Sequence, residues 1–231
     1  MAVKNYQATV SIKEEVAKST YLVRFSLPEN ETMDFLPGQF VTIAVAPNAR
    51  RSYSIASSPS HNTYVETFAD TFAGGPGSQF FENVKVGDQV SFLAPLGKFV
   101  YKSDNKPVYF YATGTGLTPF LSMISYALET EGTKRDIFLK QGFRNEENVF
   151  AEKILSDLSA RFPNFHYEIC LSQPTDEWHG TKGRITTTID AITDTDIDVY
   201  ICGAKQMITD VETAFKEKGV PPQQIYYEQF Y

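Results

Sequence analysis

The hydrophobic rhythm of this chain changes once, near Asn105, and that change constrains the fold more than any other feature. Before it lie short stretches in which apolar and polar residues alternate: "YQATVSI", "TYLVRFSL", "QFVTIAVA", "RSYSIAS", "TYVETFA" and "DQVSFLAP". Alternation with a period of two places one set of side chains on one face of a strand. Turn-forming segments such as "LPEN", "LPGQ", "SPSHN" and "GGPG" separate these stretches. Short strands at such close spacing predict a small antiparallel β-barrel, with one short helix near Gln79 to Asn83. After "KSDNKP" the pattern becomes strand, helix, strand, helix. "PVYFYAT", "DIFLKQGF", "FHYEICLS", "DVYICG" and "IYYEQFY" read as strands. Three helical stripes lie between them: Leu117, Phe120, Leu121, Ile124 and Leu128; Val149, Phe150, Ile154, Leu155 and Leu158; and Met207, Ile208, Val211, Ala214 and Phe215. This predicts two domains, an antiparallel β-barrel over residues 1–104 and an α/β doubly wound parallel sheet over 105–231. Sheets of the second kind bind ligands beyond the carboxyl ends of their strands, where the topology switches direction.

Composition narrows the function. With 231 residues, 42% hydrophobic and 21% charged, the chain carries enough apolar material for two cores, which excludes a disordered protein. A net charge of −7 and a pI near 5.1 argue against nucleic acid as a partner. Cys170 and Cys202 are the two cysteines, too few for an iron–sulfur cluster held by four. His61, His166 and His179 are scattered and show no metal-ligand spacing. The opening "MAVKNYQATVSIK" alternates and carries charge, so it lacks the apolar core of a signal peptide. No apolar run reaches membrane-spanning length. The expectation is a cytoplasmic protein with no membrane span.

Three stretches carry chemistry. In "YATGTGLTPF" a strand ends, Gly114 and Gly116 follow, and a helix begins. Glycines let the backbone approach a ligand, and a new helix offers free N–H groups to anions. Pro119 stands where a third glycine of the dinucleotide fingerprint would be. A tight strand–helix turn and a nucleotide loop both fit. In "RSYS", Arg51 can grip phosphate in bidentate fashion and Tyr53 presents a flat face; the other reading is a surface charge beside a core ring. "GGPGSQFF" adds a second corner suited to anions, with Gly77 and Ser78. Together the last two suit a flat ring joined to a pyrophosphate, as in a flavin dinucleotide. In "YICGAKQM", Cys202 and Gly203 close a strand at its carboxyl end.

In this order, "RSYS", "GPGS", "PLGKF", "TGTGLTPF", "ICGAKQM" and the terminal "YYEQFY" resemble the ferredoxin–NADP reductase family, which includes the reductase components of oxygenases. The resemblance runs from about Gln7 to Tyr231. It implies that Arg51 contacts the flavin phosphates, that Tyr53 lies against the isoalloxazine, and that Ser54 sits near flavin N5, with Ser52 among the cofactor-binding residues. It places Gly77 and Ser78 at the phosphates and the strand through Thr67 and Phe68 past the flavin. Thr113, Gly114 and Gly116 become the nicotinamide nucleotide loop. Cys202, with Gly203, comes near the nicotinamide, Glu228 near the flavin, and Phe230 or Tyr231 over the flavin ring. The catalytic set implied is Ser54, Cys202, Glu228 and Phe230.

Two departures matter. A fused ferredoxin module has no four-cysteine set to support it here. The plant-type NADP-binding stretch is replaced by "LSQPTDEWHGTKGR", which is more similar to that of NADH-using members. A 2′-phosphate needs a cation near Ser172, and Gln173 and Pro174 supply none, leaving Arg144 and Lys182 as candidates. The resulting expectation is an FAD-dependent NAD(P)H oxidoreductase using NADH ahead of NADPH. A hydride passes to bound FAD, and electrons then pass to a separate protein acceptor such as ferredoxin, flavodoxin or an oxygenase component. The alternatives are an NAD(P)H-dependent free-flavin reductase and a non-catalytic electron-transfer subunit of a larger complex.

Overall fold

A computed structural model describes residues 2–229. The chain forms two compact units, Met1–Lys102 with Thr118–Glu131, and Ser103–Leu117 with Gly132–Tyr231.

The first unit is built on strands β1 (Lys4–Ala17), β2 (Thr20–Ser26), β3 (Phe40–Ala46), β4 (Ala49–Ser54), β5 (Tyr64–Asp70) and, after helix α1 (Pro76–Asn83), β6 (Gln89–Leu96). They form an antiparallel sheet in the order β4-β3-β6-β1-β2-β5. The sheet curls until its two edges meet. Ala56 N–H donates to Glu66 O at 2.8 Å, and Thr67 Oγ1 donates to Ser54 O at 2.9 Å. Such contacts use edge groups that would otherwise stay unpaired. The expected alternation fills the interior: Val10, Val23, Phe25, Ile43, Ile55 and Phe92 are fully buried. Helix α1 adds Phe81 to this core. It begins at Pro76, three positions before the expected start at Gln79. Proline suits a first helical turn, where its missing N–H is not needed.

The second unit carries β7 (Val108–Thr113), a 3₁₀ turn over Gly114–Gly116, β8 (Ile137–Phe143), β9 (Phe165–Leu171), β10 (Thr181–Lys182), β11 (Asp198–Gly203) and β12 (Ile225–Gln229). All pairs are parallel, in the order β10-β9-β8-β7-β11-β12. The chain therefore builds outward from β7 in one direction and then adds β11 and β12 on its other side. The loops after β7 and β11 flank that switch. Along the chain the helices are α2 (Leu117–Ser125), α3 (Glu152–Arg161) and α4 (Lys205–Glu217). Helix α4 and the 3₁₀ turn Ile185–Thr188 pack on one sheet face through Tyr111, Val199, Ile201, Val211 and Phe215. Val108, Phe110, Ala112, Tyr200 and Cys202 occupy the alternate positions and are equally buried.

Some details differ from the sequence reading. The stripe Leu117 to Leu128 follows the change of rhythm in the sequence, and in the structure α2 from Thr118 onward groups with the first unit. There Ser122 Oγ donates to Ser57 O at 2.8 Å. The last part of that stripe, Tyr126–Glu131, winds as a π-helix. Val149 and Phe150 precede α3 rather than belonging to it, and Ile154 is 40% exposed. Phe150 instead packs edge-on against Phe143 at 5.3 Å, so its burial comes from a turn and not from a helical face. No helix among the described residues is long and apolar enough to cross a membrane.

Candidate functional site

In the first unit, β4 runs along the barrel edge. Register pairs Arg51 with Ile43 and Tyr53 with Val41, which puts Arg51 and Tyr53 on one face. Ser52 lies on the other, where its hydroxyl meets Thr42 Oγ1 at 3.1 Å. The Tyr53 ring packs edge-on against Phe81 of α1 at 4.7 Å. Burial pushes its hydroxyl pKa up to about 12, against the opposing pull of Arg51, so it stays protonated. That hydroxyl fills the space beside Gly77: a Cβ there would stand 2.3 Å from Tyr53 Oη and 3.6 Å from Arg51 Cγ. Glycine at 77 thus lets the first turn of α1 come down onto Tyr53 and Arg51. The N-cap is Gly75, which offers no side chain to the free N–H groups of that turn. The stem of exposed Arg51, whose Nη1 donates to the Arg50 carbonyl at 2.8 Å, and an uncapped helix start therefore lie side by side, and a guanidinium and a helix start are both elements that attract phosphate.

Ser54 is 4% exposed, and its hydroxyl has no hydrogen-bond partner among the described residues. A buried polar group without a partner is costly and points to a missing donor or acceptor. Thr67 is different: its hydroxyl is held by the Ser54 carbonyl. Phe68 and Ser78 are buried.

In the second unit the loops after β7 and β11 approach backbone to backbone. A Cβ on Gly116 would lie 2.2 Å from Cys202 O, and one on Gly203 would lie 2.3 Å from Thr113 Oγ1. Gly203 also has φ +141 and Gly114 φ +53, a region side chains disfavour. Ala204 N–H donates to Thr113 Oγ1 at 3.1 Å. Thr113, Gly114, Gly116, Cys202 and Gly203 thus form one cluster at the switch point. Gln141 joins it unforeseen. Fully buried on β8, it donates through Nε2 to Gly114 O at 3.1 Å, while its Oε1 has no partner among the described residues. A glutamine at the end of an apolar strand gives no sequence signal of this kind.

Cys202 is fully buried, and burial, followed by nearby Glu228, pushes its thiol well above the usual range. It is a neutral, apolar group at neutral pH. Glu228 is its register partner on β12. Burial lifts the Glu228 carboxyl to about 7, and its Oε2 has no hydrogen-bond partner among the described residues.

At the ends of β8 and β9, Arg144 Nε donates to Gln173 Oε1 at 2.9 Å, and Gln173 N–H donates back to Arg144 O at 2.7 Å. Ser172 N–H donates to Phe143 O at 3.1 Å. The fold therefore brings Arg144 to Ser172 and Gln173, a proximity that a separation of 29 positions between Arg144 and Gln173 hides in the sequence. Glu146 Oε1 accepts from Thr175 N and Oγ1, both at 2.8 Å, and its own backbone N–H, followed by these bonds, lowers its pKa. Lys182 is exposed on β10. Phe230 and Tyr231 lie outside the described residues. Among the described residues no cluster of His, Cys, Asp or Glu could hold a metal ion.

Two family models match the chain: an oxidoreductase FAD-binding domain over residues 7–101 and an oxidoreductase NAD-binding domain over residues 110–213. The toluate 1,2-dioxygenase electron transfer component of Pseudomonas putida is 31% identical over 229 residues, covering 97% of this chain and 67% of that protein. The reductase component of a phenol 2-monooxygenase from Pseudomonas sp. (strain CF600) is 32% identical, covering 99% of this chain and 66% of its own length. The chain thus spans about two thirds of these relatives. Among solved structures, the cytochrome P450 reductase GcoB of Amycolatopsis superposes with a TM-score of 0.91 at 25% identity, over 99% of this chain and 70% of that one.

Proposed function

The chain belongs to the ferredoxin reductase family of FAD- and NAD-binding oxidoreductases, and from that premise we propose that it takes a hydride from NADH onto bound FAD and delivers the electrons to a separate protein acceptor. The observation that carries the flavin half is the meeting of Arg51, Tyr53 and Gly77, where a tyrosine hydroxyl fills the space a Cβ would need. Bound flavin supplies a carrier that accepts two electrons as a hydride and can release them singly.

The protein's contribution is positioning and electrostatics. Arg51 and the first turn of α1 hold the pyrophosphate. The Tyr53 ring supports the flat heterocycle, and the Ser54 hydroxyl gains the hydrogen bond it lacks in the protein alone. In the second unit, Thr113, Gly114, Gly116 and Gly203 form the anion-binding turn for the nicotinamide nucleotide, with Gln141 fixing the Gly114 carbonyl. Cys202 presents a neutral thiol to a flat ring. Glu228, with its carboxyl near 7, holds a proton close to the physiological range. Phe230 or Tyr231 would shield the flavin ring.

NADH is the donor in this reading, because Gln173 and Pro174 follow Ser172 and Arg144 directs its Nε to Gln173. Two relatives are named as components of a dioxygenase and a monooxygenase, so an oxygenase component or a small iron–sulfur protein is the acceptor class. A cytoplasmic setting suits the two free, buried cysteines. A turnover assay tests the acceptor. NADH oxidation should accelerate with added ferredoxin-type or oxygenase proteins while FAD stays bound. Turnover that depends only on added free flavin would contradict it and favour a free-flavin reductase.

A further inference from the structure

Buried hydroxyls tie three segments of the first unit together. Thr118 and Ser122 stand four positions apart on α2, so they share one helical face. They are 1% and 0% exposed. Alanine suits a buried helical position better than either, and a helical hydroxyl can bond back to the carbonyl one turn earlier. These two donate away from their own helix. Thr118 Oγ1 donates to Phe68 O of β5 at 3.4 Å, and Ser122 Oγ donates to Ser57 O at 2.8 Å. Two further bonds join the other segments. Thr67 Oγ1 donates to Ser54 O at 2.9 Å, and Glu66 N–H donates to Ser57 Oγ at 3.2 Å. Residues 54–57 are thus fastened to β5 and to α2, and β5 is fastened to α2. All of these residues belong to the first unit.

We propose that Ser122 and Thr67, with Thr118 in support, are positioning residues for hydride transfer: their hydroxyls hold the backbone that carries Ser54, and so set where the Ser54 hydroxyl meets the flavin ring. The inference rests on the flavin reading and deepens it. Ser54 is the one member of this network whose hydroxyl is left over. It is buried and has no hydrogen-bond partner among the described residues, while its own carbonyl is held by Thr67 and the carbonyl three residues on is held by Ser122. Thr67 thereby takes a different role from the one its place on β5 implies: its hydroxyl is engaged on backbone and is not a cofactor ligand. Removing either hydroxyl leaves a buried carbonyl without its donor, and the segment shifts to find another. A reacting geometry tolerates little of this, since a misplacement of about 1 Å can cost on the order of 10²-fold in rate. Ser122 lies 65 positions from Ser57, and a serine within an apolar helical stripe gives no sequence sign of such a role.

The test is the rate of flavin bleaching at saturating NADH, followed anaerobically by stopped-flow absorbance on the FAD-loaded full chain. Ser122→Ala and Thr67→Val remove the two hydroxyls independently, so misfolding of one leaves the other to decide, and circular dichroism confirms the fold of each. The bleaching rate should fall about tenfold in each variant, with the dissociation constants of FAD and NADH changed less than about twofold. Thr67→Ser keeps the hydroxyl and should recover most of the rate. Action through Ser54 has its own signature. Ser54→Ala should slow bleaching, and adding Ser122→Ala to it should lower the rate less than about twofold further, because coupled residues are not additive. Folded variants with a lowered melting temperature and an unchanged rate would overturn the proposal, leaving the hydroxyls a structural role alone. Rate losses that multiply independently in the double variant would also overturn it. A wild type whose flavin NADH does not bleach would overturn the hydride reading itself, and the proposal with it.

Discussion

Gly77 and Tyr53 hold one point in space between them, and that point sets the flavin corner. Gly77→Ala would push a methyl group to within 2.3 Å of the Tyr53 hydroxyl, so α1 must lift or the ring must turn. FAD affinity should fall, and adding Tyr53→Phe should restore part of it, because the colliding oxygen is gone. A double-mutant cycle on FAD dissociation constants measures this coupling, and additive effects would mean the two residues do not meet. Arg51 belongs to the same corner. A charge-assisted contact is worth about 1.5–3 kcal/mol, so Arg51→Ala should weaken FAD by roughly 10- to 100-fold with the melting temperature unchanged. Glu228 offers a different readout. Its folded carboxyl is raised to about 7 from a usual 4.5. Below pH 4.5 both folded and unfolded forms hold the proton. Between there and about 7 the unfolded chain releases it first, so the stability linked to this group is lost as pH rises through that window. The loss is on the order of 1–3 kcal/mol. Glu228→Gln should flatten this part of the stability–pH curve measured by chemical denaturation, while an unchanged curve would show that Glu228 ionises normally.

At the scale of elements, the second unit depends on loops that touch through glycines and on one buried ion pair. Gly116→Ala places a Cβ 2.2 Å from the Cys202 carbonyl, which is backbone and cannot rotate away. It should weaken NADH binding far more than FAD binding, as read by nucleotide titration of the flavin-loaded protein. Arg135 Nη2 meets Asp198 Oδ2 at 2.8 Å with side chains 0% and 5% exposed. Removing one partner of such a pair strands the other charge and typically costs about 3–5 kcal/mol. Arg135→Met should therefore lower unfolding free energy by that order, and a loss under about 1 kcal/mol would show that Asp198 finds other solvation. Most elements here were legible in the sequence, and the reasons are local. Strands such as Tyr64–Asp70 and Val108–Thr113 announce themselves because burial alternates or saturates along them. What escaped was set by tertiary contact. Strand β10 has two residues and exists through its pairing with Cys170 and Leu171. Ile154 fits a helical stripe yet faces outward, because Phe150 reaches the core from the preceding turn.

For the whole molecule, the presence of a curled antiparallel sheet and a parallel sheet was readable from the change of rhythm in the sequence, while the affiliation of α2 was not. Its apolar stripe shows that it is buried but not against what, and Ser122 to Ser57 is a contact across 65 positions. The candidate site divides the same way. Motif glycines 77, 114, 116 and 203 stand out in sequence, but Gln141, the orphan hydroxyl of Ser54 and the approach of Arg144 to Gln173 depend on strand register. Donor choice belongs to this scale. NADH should exceed NADPH in kcat/KM, and Arg144→Ala should leave both values little changed; a clear NADPH preference in the wild type that falls in Arg144→Ala or Lys182→Ala would make that residue the 2′-phosphate site. The central claim is that one chain binds both flavin and donor and moves a hydride between them. Anaerobic titration of the FAD-loaded protein with NADH tests it most directly. About one equivalent of NADH should bleach the bound flavin completely, with the flavin still attached after gel filtration. Flavin that stays bound and oxidised in excess NADH would contradict the account.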